Sequence, residues 1–269
     1  MPDITVKNVQ FYFPGNVEAL HAVDLHLPPV PTAIVGENGA GKTTFAKLLK
    51  RLLKPSQGKI LLNGGPIDRL STTQIAAHIG LVFQNPDHQI FKNRVRDEVM
   101  FGPLQIGLSK KKAYEAASQA LKRVGLAESS EENPYDLALS ERKLVGVASI
   151  LAMDTDVIIL DEPTIGQDER GKQLITSVVR ELSEEGKLVL CILHDMNLVA
   201  DMCERTIVFH HGRVFLDGET NWVFSHEEVL NQAAIEPPQV MQVARQLGIK
   251  HAVTEQALLN ELAKLKIKC

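Results

Sequence analysis

Gly36-Glu37-Asn38-Gly39-Ala40-Gly41-Lys42-Thr43 carries the spacing GxxxxGK[ST], and its residue types match what a polyphosphate needs. Glycines let backbone N–H groups wrap the phosphates, the lysine reaches the β and γ oxygens, and the hydroxyl of the last residue ligates Mg²⁺. Asn38, Gly39, Ala40, Gly41, Lys42, Thr43 and Thr44 are therefore the candidate nucleotide-binding residues. Downstream, Asp156-Val157-Ile158-Ile159-Leu160 runs into the carboxylates Asp161 and Glu162. Asp161, at the carboxyl end of a strand in a doubly wound sheet, stands where a carboxylate can hold Mg²⁺ through water. Glu162 can polarise an attacking water as general base while Lys42 and the metal absorb charge developing on the transferred phosphoryl group. Two more polar side chains end strand-like runs. Gln84, after Gly80-Leu81-Val82-Phe83, has an amide able to reach the metal or the attacking water, so Thr43, Gln84 and Asp161 form the candidate metal set. His194, after Leu188 to Leu193, can contact the γ-phosphate as a neutral imidazole and hold the attacking water. Taken singly, a glutamine at a strand end carries little, and a lone histidine is more often structural. Phe13, before Pro14-Gly15, is a candidate adenine stacker, with a core role as the competing reading.

The elements that must position these groups follow from hydrophobic periodicity. Thr32-Ala33-Ile34-Val35 reads as a short buried strand and Thr44 to Leu49 as a helix, which puts the glycine-rich loop between strand and helix. Ile4 to Phe13 and Ala19 to Leu27 alternate as an antiparallel pair around Pro14-Gly15-Asn16, and Gly58 to Gly64 resembles a third such strand. Val95 to Phe101 and Lys111 to Val124 show helical spacing, with Gly125 as the carboxyl cap, so the middle of the chain is a helical insertion. Asp156 to Leu160, a helix from about Glu169 to Glu184 and the run Leu188 to Leu193 give strand–helix–strand order and hence a parallel sheet. Thr206 to Phe209 and Arg213 to Leu216 read as short strands and Asp217-Gly218 as a turn. The remainder is helical, about Thr220 to Leu230, Pro238 to Leu247 and Thr254 to Lys266, and no repeat or low-complexity linker interrupts the chain.

Composition narrows the function classes. The 269 residues, 44% hydrophobic, are enough for one large α/β domain with an appendage. A formal net charge of −4 and no basic block longer than Lys110-Lys111-Lys112, read as a solvated helix start, argue against nucleic acid as the main partner. Met1 to Gln10 lacks the pattern of a secretory signal, and no apolar run approaches a bilayer span, so the expectation is a cytoplasmic chain that meets a membrane only through partners. Cys191, Cys203 and Cys269 are widely spaced without a CxxC, and are expected to be buried or incidental thiols.

The ordered set of aromatic strand, GxxxxGKTT, Phe83-Gln84-Asn85-Pro86, helical insertion, Ile158-Ile159-Leu160-Asp161-Glu162-Pro163-Thr164 and Leu193-His194-Asp195 resembles the ATP-binding cassette (ABC) ATPase family over roughly residues 4 to 218. Within it, Asn85-Pro86-Asp87-His88-Gln89-Ile90-Phe91, Val95, Glu98-Val99 and Phe101-Gly102-Pro103 are similar to the ATPases of energy-coupling-factor and cobalt/nickel importers. Glu236-Pro237-Pro238-Gln239-Val240 and the following helix resemble that subfamily's carboxyl-terminal extension, implicated in pairing two ATPase subunits. The resemblance implies an α/β P-loop NTPase (RecA-like) core with an antiparallel β subdomain and a helical subdomain at about 86–152, all within residues 1–218, and a helical extension at 219–269. It implies ATP and Mg²⁺ as ligands. Implied partners are a second ABC ATPase subunit, a membrane-embedded coupling subunit and a substrate-binding membrane subunit, with this chain peripheral on the cytoplasmic face of the cell membrane. Gln84 would then border a groove receiving a coupling-subunit helix, built with Phe91, Val95 and Phe101; ordinary core positions are the competing reading for these three.

One motif departs from the family. Members carry LSGGQ at the start of a helix, where Ser and Gly N–H groups touch the partner's γ-phosphate; counting back from Asp161 without gaps lands on Leu137-Ala138-Leu139-Ser140-Glu141. Ala138 replaces the serine, Leu139 and Ser140 the glycines, and Glu141 the glutamine, while Leu144 stands where a basic residue is usual. A register starting at Leu139-Ser140 restores the serine but still lacks both glycines. In either register backbone approach to phosphate is hindered. Gln167 also stands where leucine is expected before Asp168. Because Lys42, Glu162 and His194 are intact, the expectation is a heterodimer with unequal sites, in an importer of a vitamin or a transition-metal ion. A soluble ABC ATPase outside transport, or a regulatory cassette with little turnover, are the alternatives.

Overall fold

The structure, a computed structural model, describes residues 1–249 and 252–266. Its elements in chain order are β1 (Ile4–Phe13), β2 (Val17–Leu27), β3 (Thr32–Val35), α1 (Lys42–Leu49), β4 (Gln57–Leu62), β5 (Gly65–Pro66), α2 (Thr72–His78), β6 (Ile79–Val82), α3 (Val95–Gln105), α4 (Lys110–Arg123), α5 (Leu139–Leu151), β7 (Val157–Asp161), α6 (Glu169–Glu184), β8 (Leu188–Ile192), α7 (Met196–Met202), β9 (Arg205–His210), β10 (Arg213–Glu219), α8 (Thr220–Ser225), α9 (Glu227–Gln232), α10 (Gln239–Gln246) and α11 (Glu255–Lys266).

Two sheets result. A four-stranded antiparallel sheet has the order β2-β1-β4-β5, so the expected pair and the third strand join one layer. A six-stranded sheet has the order β10-β9-β3-β8-β7-β6, parallel except for the edge strand β10. Both faces of the parallel strands are covered, which is why they read as continuous apolar runs. Alternation then divides their side chains between two cores. Ala33, Val35, Ile158, Leu160, Val189, Cys191 and Val208 pack with the helical insertion and α6. Ile34, Val157, Ile159, Leu190, Ile192, Ile207 and Phe209 face α1 and the antiparallel sheet.

The insertion is an α3–α4–α5 bundle. The Lys110-Lys111-Lys112 run opens α4 behind a Ser109 cap and is exposed, as expected. Gly125, at φ +71°, closes that helix in the left-handed conformation that favours glycine. Two expectations near the carboxyl end need correction. Asp217-Gly218 is not a turn: both residues continue β10 and pair with Ile207 and Thr206. The helix expected over Thr220 to Leu230 is two short helices, α8 and α9, separated at His226 (φ −92°, ψ +61°). Cys191 and Cys203 are buried free thiols; a hydrogen bond between them and burial push the Cys203 thiol well above its ordinary pKa, and Cys269 lies outside the described residues. Among the described residues no helix is long and apolar enough to cross a membrane.

Candidate functional site

In the strand order β3-β8-β7-β6, the residues leaving the carboxyl ends are the glycine-rich loop, His194, Asp161-Glu162 and Gln84. Neighbouring parallel strands thus deliver four separate sequence signals to one sheet edge, where open α/β sheets bind ligands.

The loop is shaped by glycines. Gly36 (φ +148°) passes the backbone of β9 so closely that a Cβ would lie 2.2 Å from the Phe209 carbonyl oxygen; at Gly41 (φ +99°) a Cβ would lie 2.8 Å from the Ala19 carbonyl oxygen. Asn38 and Gly39 form an exposed tip, Ala40 is buried beneath it, and Lys42, Thr43 and Thr44 occupy the first turn of α1, whose N–H groups have no carbonyl one turn earlier in the helix. Lys42 is 6% exposed, and its Nζ donates to the carbonyls of Gly36 (2.6 Å) and Glu37 (2.9 Å). Burial pushes its pKa down, against the opposing pull of Glu162, Asp161 and Glu37. The ammonium therefore folds back onto the carbonyls of its own loop. Thr43 Oγ1 donates to Asp161 Oδ1 at 3.3 Å. Burial raises the Asp161 pKa and the Thr43 hydrogen bond lowers it. A hydroxyl and a buried carboxylate in contact are hard oxygen donors of the type Mg²⁺ takes, so these residues fit that ion.

Glu162 is the hub. Its backbone adopts φ +51°, a conformation that costs energy for a side chain with a Cβ and recurs at functional sites. Both carboxylate oxygens are engaged. His194 Nε2 lies 2.7 Å from Oε1, and Gln84 Nε2 donates to Oε2. Glu162 itself is buried, whereas Gln84 and His194 are exposed beside it. Gln84 thus reaches the metal set through Glu162 rather than by touching Thr43 or Asp161 directly.

Lys143, on α5, was not singled out from sequence. It is 5% exposed and its Nζ donates to the Glu162 carbonyl oxygen at 3.1 Å. Burial pushes its pKa down while Glu162 and Asp161 pull it up, so it is a cation set against two carboxylates. The sequence signal was available: Lys143 precedes Leu144, the position noted as lacking its usual basic residue, and Leu144 is buried in the core.

At the start of α5, Leu139 is 48% exposed and Ala138 offers no side-chain cap. The Glu141 carboxylate fills that role and accepts from the Ala138 N–H at 3.0 Å. Gln167 Nε2 donates to the Ser140 carbonyl at 2.9 Å, which ties the loop after Glu162 to the same helix. Phe13 is 41% exposed and packs edge-on against Phe11 with ring centroids 5.0 Å apart, so it is not a core residue. Of the expected groove residues, Val95 is corrected: it is fully buried within the insertion and faces no groove. Phe91 and Phe101 do form a surface pair, edge to face at 4.8 Å, with Lys92 Nζ 5.0 Å from each ring. Buried Glu98 holds that strip by accepting from the N–H groups of Phe91 (3.0 Å) and Lys92 (2.8 Å). Gln89 accepts from Phe83 N and donates to the Gly146 carbonyl, joining the end of β6 to α5.

Comparison with known proteins agrees with this geometry. Residues 20–165 match the family described as ABC transporter. A Pyrococcus furiosus protein bearing only the provisional name of an ABC transporter ATP-binding protein is 36% identical over 258 residues, 96% of this chain and 98% of its own length. The energy-coupling factor transporter ATP-binding protein EcfA of Methanoculleus marisnigri is 34% identical over 263 residues, 97% of this chain and 95% of its own. Some other relatives are more than twice as long, and the chain spans 41%, 43% and 35% of three of them. Among solved structures, cbiO1 from Clostridium perfringens, described as part of the ABC transporter complex cbiONQ, superposes with a TM-score of 0.76 at 30% identity, covering 91% of this chain and 98% of that one.

Proposed function

The chain belongs to the ABC transporter family of ATPases, and from that premise we propose that it is the ATP-hydrolysing subunit of an energy-coupling-factor-type importer, working as one half of a heterodimer with unequal sites. The convergence of Gln84 and His194 on the two carboxylate oxygens of Glu162, beside the phosphate loop, carries the hydrolytic part of the reading. In it, Glu162 accepts a proton from the attacking water, His194 and Gln84 fix the carboxylate and the water, and Lys42 leaves the Gly36 and Glu37 carbonyls for the β- and γ-phosphate oxygens. Thr43, and Asp161 through water, would hold Mg²⁺, which would supply charge neutralisation on the phosphates. The half-free ring of Phe13 is the adenine stacker. The relatives named EcfA and cbiO1 support the importer class. The Phe91–Phe101 pair with Lys92 is the docking strip for a membrane-embedded coupling subunit, which would keep the chain at the cytoplasmic face of the membrane. A separate substrate-binding membrane subunit would select the vitamin or transition-metal ion. Residues 219–269 pair this chain with the second ATPase.

Steady-state ATP hydrolysis by the tag-free protein, alone and co-purified with candidate second ATPase subunits, tests this reading. Activity is expected only in the pair, with Glu162→Gln in this chain lowering it at least about 100-fold. Brisk, two-site hydrolysis by the protein alone would replace the heterodimer with a homodimer. Pairing without turnover would favour a regulatory cassette, a reading to which the Glu141 carboxylate at the start of α5 lends weight.

A further inference from the structure

We propose that Glu37, His210 and His211 form a site for a first-row divalent transition metal, distinct from the Mg²⁺ position, that clips the β9–β10 turn to the phosphate loop. Among the described residues these three side chains are the one group of His, Cys, Asp or Glu whose ligand atoms converge, all within 4.8 Å of one another. Glu37 Oε1 lies 3.2 Å from His210 Nδ1 and 3.6 Å from His211 Nδ1. A tetrahedral ion with bonds of about 2.0–2.1 Å sets its ligands about 3.3 Å apart, so two of the three edges already fit.

The buried imidazole nitrogen of the pair has no other partner. His210 Nδ1 is buried without a hydrogen-bond partner, because its approach to the carboxylate is misaligned for N–H donation. That leaves a buried nitrogen beside a carboxylate and a second imidazole, an arrangement a metal satisfies and a poorly aimed ion pair does not. The backbone builds the convergence. His211 takes φ +45°, rare for a residue with a side chain, and this turns its ring onto its neighbour's, with centroids 4.0 Å apart. Phe215 also packs against His210, with ring centroids 5.2 Å apart. The turn is also bonded to the loop it would clip: Gly212 N donates to the Ala40 carbonyl at 3.1 Å.

Two imidazoles and one carboxylate select Zn²⁺, Ni²⁺, Co²⁺ or Cu²⁺ over the all-oxygen preference of Mg²⁺. Three protein ligands leave a fourth position to water, and His211, 76% exposed, keeps the site open to solvent. Such an open site is expected to be readily exchangeable rather than permanently loaded.

The test is Zn²⁺ titration of the tag-free, nucleotide-free protein by calorimetry, with thermal unfolding followed in parallel. One Zn²⁺ per chain is expected, with a rise in Tm. His211→Ala, an exposed position where folding is not at stake, should weaken binding at least about tenfold and abolish the Tm rise, and Glu37→Gln should do the same. His194→Ala, which removes a different histidine–carboxylate contact at the end of β8, should leave both intact. Equal binding by wild type and His211→Ala, loss of binding in His194→Ala, or no stoichiometric uptake would each overturn the assignment.

Discussion

Glu162 is the point at which the side chains of the candidate site converge, and its surroundings hold one carboxylate from several sides. It sits in a left-handed backbone conformation, two side chains share its oxygens, and a buried ammonium holds its carbonyl. Lys143 bonds the backbone of Glu162 and not its carboxylate, so the role expected of it is positioning: it holds the peptide that aims Glu162 and faces the charge of the Asp161–Glu162 pair. Lys143→Met is therefore expected to lower kcat of the assembled ATPase about tenfold or more, the size of one lost charge-assisted hydrogen bond, with little change in KM for ATP. Lys143→Arg should recover part of the loss. Equal falls in kcat and in folding stability would mark a merely structural lysine. That Glu162, the glycine-rich loop and His194 would meet at one end of the sheet was legible in the sequence, because each ends an apolar run of recognisable type. Lys143 was legible only as a basic residue beside Leu144, and not as a buried one, since a lysine inside an amphipathic helix reads as solvated until tertiary structure buries it.

At the scale of elements, the long periodic segments matched expectation: α6 spans Glu169–Glu184 and β1 spans Ile4–Phe13 as read. What escaped were short pieces whose formation depends on local caps or on partners. α2 is seven residues started by a Ser71–Gln74 capping box, and α7 is seven residues capped by Asp195. Asp217-Gly218 looked like a turn by residue type, yet ladder pairing with β9 overrides that preference. Helix α1 carries a testable electrostatic cost at its far end. Lys50 caps it, donates to the Ile79 carbonyl, and is pushed down by burial to a pKa of about 8. The unfolded chain therefore binds more protons than the folded one between pH 8 and 10.5, so Lys50's contribution to stability rises with pH across that window. Relative to Lys50→Met, the wild-type protein should gain on the order of 3 kcal/mol between pH 7.5 and 10.5 in denaturant midpoints. A flat difference would mean that Lys50 remains solvated.

At the scale of the whole molecule, the asymmetry proposed for the dimer rests on one helix start. In an ATP sandwich, α5 would point its amino terminus at the partner's γ-phosphate, and a helix terminus favours an anion there. Here the chain's own anion occupies that end: Glu141 accepts from Ala138 N, and the exposed Leu139 side chain stands where a close backbone approach is needed. A phosphate arriving there would meet a carboxylate, a bulky side chain and one hydroxyl donor fewer. Combining Ala138→Ser, Leu139→Gly, Ser140→Gly and Glu141→Gln removes all three obstacles. The informative background is a pair in which this chain also carries Glu162→Gln, because turnover then comes only from the site formed by the partner's phosphate loop and this chain's α5. In that background the four substitutions are expected to raise residual hydrolysis at least about tenfold, the equivalent of one regained donor. Unchanged residual turnover, with pairing intact, would show that residues 138–141 are not what slows the second site, and the two halves of the dimer would have to differ elsewhere.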